Sequence, residues 1–128
     1  MAKSQAKTGR LSVFKGQKAR LNKVIFQILA LKGPLTIYDI HKTVKTHRRL
    51  RHVRYASVNK RVRPLEESGY IKKTGVKKTK AGFEAHIYEL TARAYLAILL
   101  NFINLDELVM RADEATASTI LAAITCTT

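Results

Sequence analysis

The apolar residues of the chain fall into blocks with helical spacing that short polar stretches separate. After Gly16, apolar side chains recur three and four residues apart as far as Leu31, a spacing that places them on one face of an α-helix. Gly33 and Pro34 follow, and glycine at a helix C-terminus with proline after it is a typical stop signal. The pattern therefore predicts a first helix that ends near Lys32.

A short second helix and a longer third helix are predicted next. Thr36 can cap the second helix, which ends near Lys45, and Asp39 follows the cap by three residues in an approximation to a capping box. The third helix is predicted from Ala56 to Ser68. Because its apolar stripe continues across Pro64, we expect a kinked helix rather than a break. The stripe consists of Val58, Val62 and Leu65.

A β-hairpin is predicted after the third helix. One strand is expected from Tyr70 to Thr74, and the return strand from Phe83 to Leu90 alternates between apolar and polar residues. The intervening residues 75–82 are basic and form the predicted turn region. The hairpin tip carries three lysines: Lys77, Lys78 and Lys80.

Two more helices are predicted at the C-terminal end. Thr91 can cap a helix from Ala92 to about Phe102, and Asn104 can cap a last helix from Leu105 to Ile124. The first of these is apolar on nearly all sides, which is more apolar surface than one small domain covers. The surplus is expected to meet the last helix, a second copy of the chain, or both.

Charge divides the 128 residues into a basic body and a mildly acidic tail. The net charge is +15; residues 1–95 carry 23 basic and 5 acidic side chains, a net of +18, whereas residues 96–128 carry a net of −3. A basic body favours a polyanionic partner. Residues 1–15 are mostly polar and basic, and we interpret them as a flexible basic arm.

Several classes of protein are excluded or disfavoured. A single cysteine, Cys126, permits no intrachain disulfide. The longest apolar stretch, Tyr95 to Leu100, falls far short of the roughly 20 residues that a membrane-spanning helix needs. The polar N-terminus has no apolar segment typical of a secretory signal. We therefore expect a cytoplasmic protein that does not enter a membrane.

Three segments together resemble the winged helix-turn-helix family, over about residues 16–95. Residues 33–40 (GPLTIYDI) look like the entry into that family's second helix, residues 58–71 (VNKRVRPLEESGYI) are similar to its third helix running into the wing, and residues 88–91 (YELT) resemble the end of the wing. The resemblance comes closest to small PadR-like and MarR-like transcriptional regulators. The connection between the second and third helices is longer and more basic than the usual tight turn.

The resemblance implies a fold and a division of the chain. The fold class is α+β, mainly α: a winged helix-turn-helix domain of three helices and a hairpin wing over residues 16–91, followed by a C-terminal helical dimerisation region at residues 92–128. The resemblance also implies a homodimer formed by the C-terminal helices. A two-fold dimer would place two recognition helices on successive turns of the double helix.

The resemblance places the third helix in the major groove of DNA and the wing on the backbone or the minor groove. If the apolar stripe faces the core, Asn59, Lys60 and Arg63 can reach base edges. Tyr55 and Ser57 suit phosphate oxygens, whereas Arg61, at the border of the stripe, either holds a phosphate or packs its stem. Other predicted phosphate-binding residues are Arg48, Arg49, Arg51, Arg54 and the hairpin lysines Lys77, Lys78 and Lys80.

The sequence gives less support for metal binding or catalysis. The four histidines and Cys126 match no zinc-ligand spacing, and Cys126 lacks activating neighbours. No phosphate-binding glycine loop or catalytic carboxylate pair is present, so we expect no enzyme, no cofactor and no metal. A solvated surface is the simple alternative for scattered lysines, but four arginines within residues 48–54 favour a polyanion.

Two functional hypotheses follow. The first is a dimeric, sequence-specific regulator of transcription that binds double-stranded DNA and associates with the nucleoid. The second is a non-specific chromatin-binding protein, or an RNA- or ribosome-associated one, because an arginine-rich segment binds any phosphate backbone.

Overall fold

The computed structural model describes residues 11–126, which fold into an α+β, mainly helical structure. The described residues form six α-helices and one three-stranded sheet. The helices are α1 (Ala19–Lys32), α2 (Ile37–Val44), α3 (Tyr55–Glu67), α4 (Ala92–Phe102), α5 (Leu105–Arg111) and α6 (Glu114–Cys126). The strands are β1 (Leu35–Thr36), β2 (Ile71–Lys78) and β3 (Glu84–Leu90). Two single 3-10 turns cover Ser12–Phe14 and Arg48–Leu50.

The predicted ends of the first two helices are confirmed by their capping bonds. Gly33 adopts a φ of 79° and donates its N–H to the Leu29 carbonyl at 3.0 Å. This positive φ is open to glycine at little cost, which explains why α1 ends there. Thr36 Oγ1 accepts the backbone N–H of Asp39 at 3.1 Å and caps α2.

Helix α3 continues through Pro64, and its apolar stripe is fully covered. Val58, Val62 and Leu65 are all 2% exposed or less. They pack in one core with residues of α1, α2, the sheet and the start of α4. The predicted stripe is therefore confirmed, and it fixes which side of α3 faces solvent.

The sheet has the order β1-β3-β2, and all of its pairings are antiparallel. The short strand β1 has no counterpart in the sequence analysis: it pairs Leu35 with Tyr88. Strand β2 extends to Lys78, beyond the predicted end at Thr74, so the expected turn region is too long. Its C-terminal half is exposed and is held by backbone pairing to β3 rather than by burial.

The predicted arm overlaps the folded part of the chain. Residues 1–10 lie outside the described residues, but Val13 and Phe14 are buried. The Phe14 ring meets the Phe26 ring edge to face, with centroids 5.7 Å apart. Asn22 Nδ2 donates to the Val13 carbonyl at 2.8 Å. The assignment of residues 11–15 to a flexible arm is wrong, because the burial of two apolar side chains offsets the ordering of one short turn.

The predicted last helix is two helices. The chain leaves α5 at Ala112, and Asp113 Oδ1 accepts the N–H of Thr116 at 2.7 Å, so Asp113 caps a separate α6. This hydrogen bond lowers the pKa of the Asp113 carboxyl. Neither α5 nor α6 buries any residue. In α4 only Ala94 and Ala97 are buried.

Replacing Phe14 with alanine tests whether residues 11–15 belong to the core. Phe14→Ala should lower the free energy of unfolding by about 3–5 kcal/mol, the usual cost of emptying a buried aromatic site. Urea unfolding followed by circular dichroism measures this change. Ser12→Ala, at an exposed position of the same turn, should change it by less than about 0.5 kcal/mol. Equal, small effects of both variants would mean that the segment does not pack.

Candidate nucleic-acid interface

The solvent face of α3 carries basic and polar side chains. Lys60 and Arg63 are exposed on the side opposite the apolar stripe, and Asn59 is half-buried on its flank. Lys60 and Arg63 stand three residues apart, so they are neighbours along one side of the helix. This arrangement matches the prediction that these side chains point away from the core.

The arginine-rich connection before α3 is anchored at two apolar points. Leu50 is buried and Val53 packs against the core. The predicted phosphate-binding arginines of this connection are all exposed: Arg48, Arg49, Arg51 and Arg54. Burial of the apolar residues therefore leaves the four guanidinium groups in solvent.

His41 of α2 positions the start of α3. Its Nε2 lies 2.8 Å from the Val53 carbonyl oxygen, and because a carbonyl can only accept, Nε2 carries the hydrogen and donates it. The His41 ring also meets the Tyr55 ring edge to face, with centroids 5.9 Å apart. These contacts hold Tyr55, the first residue of α3, against α2.

The hairpin lies beside both α2 and α3. Lys77 Nζ is 3.8 Å from Asp39 Oδ2 in α2, and Lys73 Nζ is 4.0 Å from Glu66 Oε2 in α3. Because these pairs are partly exposed, each stabilises the fold only modestly. These two ion pairs show that the lysine-bearing hairpin lies on the same side of the molecule as α2 and α3.

Tyr88 connects the sheet to α3. Burial, followed by the nearby Glu66 carboxylate, raises the pKa of the Tyr88 hydroxyl, whereas Arg63 acts in the opposite direction. Tyr88 therefore lies within electrostatic range of Glu66 and Arg63 of α3. The hydroxyl stays neutral at physiological pH and can act as a hydrogen-bonding group.

A groove of about 860 Å³ runs between α2, the start of α3 and the hairpin. Four of its lining residues are lysines, against two carboxylates, Asp39 and Glu84. Asp39 already faces Lys77. The lysines are Lys42, Lys77, Lys78 and Lys80, and the aromatic lining includes Tyr38, Tyr55, His86 and Tyr88. We call the surface formed by Tyr55, Lys60, Arg63 and the hairpin lysines Lys77, Lys78 and Lys80 the basic face.

Two of the candidate residues lie elsewhere. Arg61 Nε donates to Asn22 Oδ1 of α1 at 2.9 Å, so the side chain is directed toward α1 and away from the basic face. The contact with α1 favours the expected packing of the Arg61 stem, and a role of Arg61 in DNA binding stays a prediction. Ser57 is exposed and stands one helical turn before Arg61, on the same side of α3.

Sequence reasoning missed three residues that shape this surface: Tyr38, His41 and Lys42. Tyr38 and Lys42 stand four residues apart on α2, away from its apolar stripe. This spacing alone indicates that the two side chains are neighbours on the exposed side of the helix. Nothing in the sequence marked His41, because its contacts join residues twelve and fourteen positions away.

No protein-family model matches the chain, and no curated protein matches it in sequence. Within residues 11–126, no three or more His, Cys, Asp or Glu side chains are grouped so that they could hold a metal ion. In the same part of the chain, none of the helices combines the length and the apolar character that crossing a membrane requires.

Replacing His41 tests its positioning role. His41→Ala leaves the Val53 carbonyl without its donor and should lower the free energy of unfolding by about 1 kcal/mol. It should also shift the NMR resonances of Tyr55, whose ring loses its neighbour. Lys42→Ala, at the next and exposed position of α2, is the control and should do neither. An unchanged Tyr55 spectrum in His41→Ala would contradict the role.

Proposed function

We propose that the protein binds double-stranded DNA in a sequence-dependent manner and regulates transcription. The observation that carries the proposal is the basic face: the exposed Lys60 and Arg63 of α3 lie beside a hairpin with three lysines. Three helices followed by a hairpin, with a short strand before the second helix, are compatible with a winged helix-turn-helix domain. Such a domain inserts its third helix into the major groove.

The chemistry of α3 suits the reading of bases. Arginine and lysine pair with guanine N7 and O6, and asparagine pairs with adenine N6 and N7. Lys60, Arg63 and the flanking Asn59 offer both kinds of contact from one side of a helix that is narrow enough for the major groove. Tyr55, held against His41, offers a hydroxyl to a phosphate at the edge of that groove.

The remaining basic groups suit phosphate contacts. The four arginines at residues 48–54 lie immediately before α3 and are exposed. The hairpin lysines Lys77, Lys78 and Lys80 line the groove beside α2 and Tyr55, at the start of α3. With about 6–10 phosphates engaged, affinity would fall by roughly 10³–10⁵ between 50 and 200 mM salt.

We propose that the C-terminal helices form a homodimer. Helices α4 to α6 expose large apolar side chains that a folded monomer rarely leaves in water. These include Leu96, Leu99, Phe102, Val109, Met110, Leu121 and Ile124. A two-fold dimer would bury the same surface on both chains and would present two copies of α3 to a palindromic site. A nucleoid-associated location in the cytoplasm is part of this proposal.

Selection of bound sequences from a random duplex pool tests sequence-specific binding. A palindromic winner is expected, because two copies of α3 would read it. Lys60→Ala or Arg63→Ala should cost about 1–3 kcal/mol on the winner and relax preference at one base pair. Lys78→Ala should weaken binding to every duplex alike. Arg20→Ala, on α1 and outside the basic face, is the matched control.

Two results would contradict this proposal. One is equal affinity for all duplexes, which favours a non-specific chromatin protein. The other is tighter binding to structured RNA than to the selected duplex in direct competition. Equal losses for Arg20→Ala and Arg63→Ala would mean that net charge alone, rather than the basic face, determines binding.

A charge in the apolar surface of α4 tests the dimer. Leu99→Glu should convert the dimer into a monomer in sedimentation velocity, because a carboxylate in an apolar interface has no partner. Leu31→Glu changes an exposed leucine of α1, outside the C-terminal helices, and should leave the dimer intact. A wild-type chain that sediments as a monomer at all concentrations would refute the proposal.

A further inference from the structure

A second concave surface lies behind α3, between that helix and the turn at residues 12–18. This pocket has a volume of about 470 Å³, which is within the range of small-molecule sites. Its walls come from the 3-10 turn, the loop before α1, the inner side of α3 and Tyr70. It shares no lining residue with the groove of the basic face.

The pocket contains cations and hydroxyl groups but no carboxylate. Three of its lining residues are positively charged: Lys15, Lys18 and Arg61. Ser12, Ser68 and Tyr70 add hydroxyl groups. None of the three cations forms an ion pair with a described residue. Three uncompensated positive charges in a concave site favour an anionic ligand.

Arg61 is fixed in place by a buried amide. Asn22 is only 3% exposed, and both of its polar side-chain atoms are engaged. Its Nδ2 donates to the Val13 carbonyl at 2.8 Å, and its Oδ1 accepts Arg61 Nε at 2.9 Å. The Arg61 guanidinium is therefore fixed through Nε, whereas its two terminal nitrogens have no hydrogen-bond partner among residues 11–126. Such a held guanidinium is suited to bidentate recognition of an oxyanion.

We propose that this pocket binds a small phosphomonoester of about the size of a nucleoside monophosphate. The phosphate would lie against Arg61 and the two lysines, since a dianion matches such a concentration of positive charge. The Tyr70 ring, Pro64 and Leu65 form the less polar part of the wall. That wall suits an uncharged organic body attached to the phosphate.

Binding of adenosine monophosphate to the full chain, without nucleic acid, tests the site. Isothermal titration should give saturable binding with one ligand per chain, inorganic phosphate should compete, and adenosine should not bind. In NMR spectra the shifts should concentrate at Ser12, Lys18, Arg61 and Ser68. Because no DNA is present, failure here is distinguishable from failure of the DNA-binding proposal.

Charge-matched variants separate a built site from general attraction. Lys15→Gln with Lys18→Gln leaves the Arg61–Asn22 bond intact and should weaken binding at least about tenfold. Arg20→Gln with Lys32→Gln removes the same charge outside the pocket and should leave the affinity unchanged. Arg61→Lys keeps the charge but loses the planar fork, and it should also weaken binding.

Three outcomes would overturn the proposal. The first is absence of saturable binding to the wild-type chain. The second is an equal loss of affinity in both double variants. The third is a set of NMR shifts centred on Lys60 and Lys78, which would mean that the nucleotide occupies the basic face as a fragment of nucleic acid.

Discussion

Burial of the stripe Val58, Val62 and Leu65 is the constraint on which the rest of the structure depends. Its three side chains are almost completely removed from water. Truncation of such a buried side chain usually lowers the free energy of unfolding by several kcal/mol. Because a helix is a rigid cylinder with a fixed period, burying one side sets the direction of every other side chain. Lys60 and Arg63 are thereby exposed, whereas Arg61 is turned toward α1.

The same rotation gives α3 two chemically different surfaces. One is the basic face, which includes lysines of the hairpin; the ion pair between Lys73 and Glu66 joins that hairpin to α3. The other adjoins the turn at residues 12–18, where the buried Asn22 links the Val13 carbonyl to Arg61. A proposed nucleic-acid surface and a proposed anion pocket therefore lie on opposite flanks of one helix. Neither requires the other to exist, but both depend on the same packing.

Local signals in the sequence were sufficient for the first four helices and for the outer side of α3. Gly33, Thr36, Thr91 and Asn104 mark helix ends through capping bonds between near neighbours, and these bonds form as expected. Long-range contacts were not visible. Strand β1 is formed by pairing with β3, in which the partner residues are 51 and 53 positions away. The place of Arg61 depends on Asn22, which is 39 positions away. The cap at Asp113 was a local signal that the continuous apolar pattern obscured.

Chemical-shift mapping of the isotopically labelled chain with a short selected duplex shows which side of α3 meets nucleic acid. We expect shifts and line broadening at Tyr55, Lys60, Arg63 and the hairpin lysines, with little change at Arg61 and Ser68. Shifts confined to the opposite flank of α3, with an unchanged Lys60 and Arg63, would contradict it. In that case the outward side of α3 would not be the surface that meets nucleic acid.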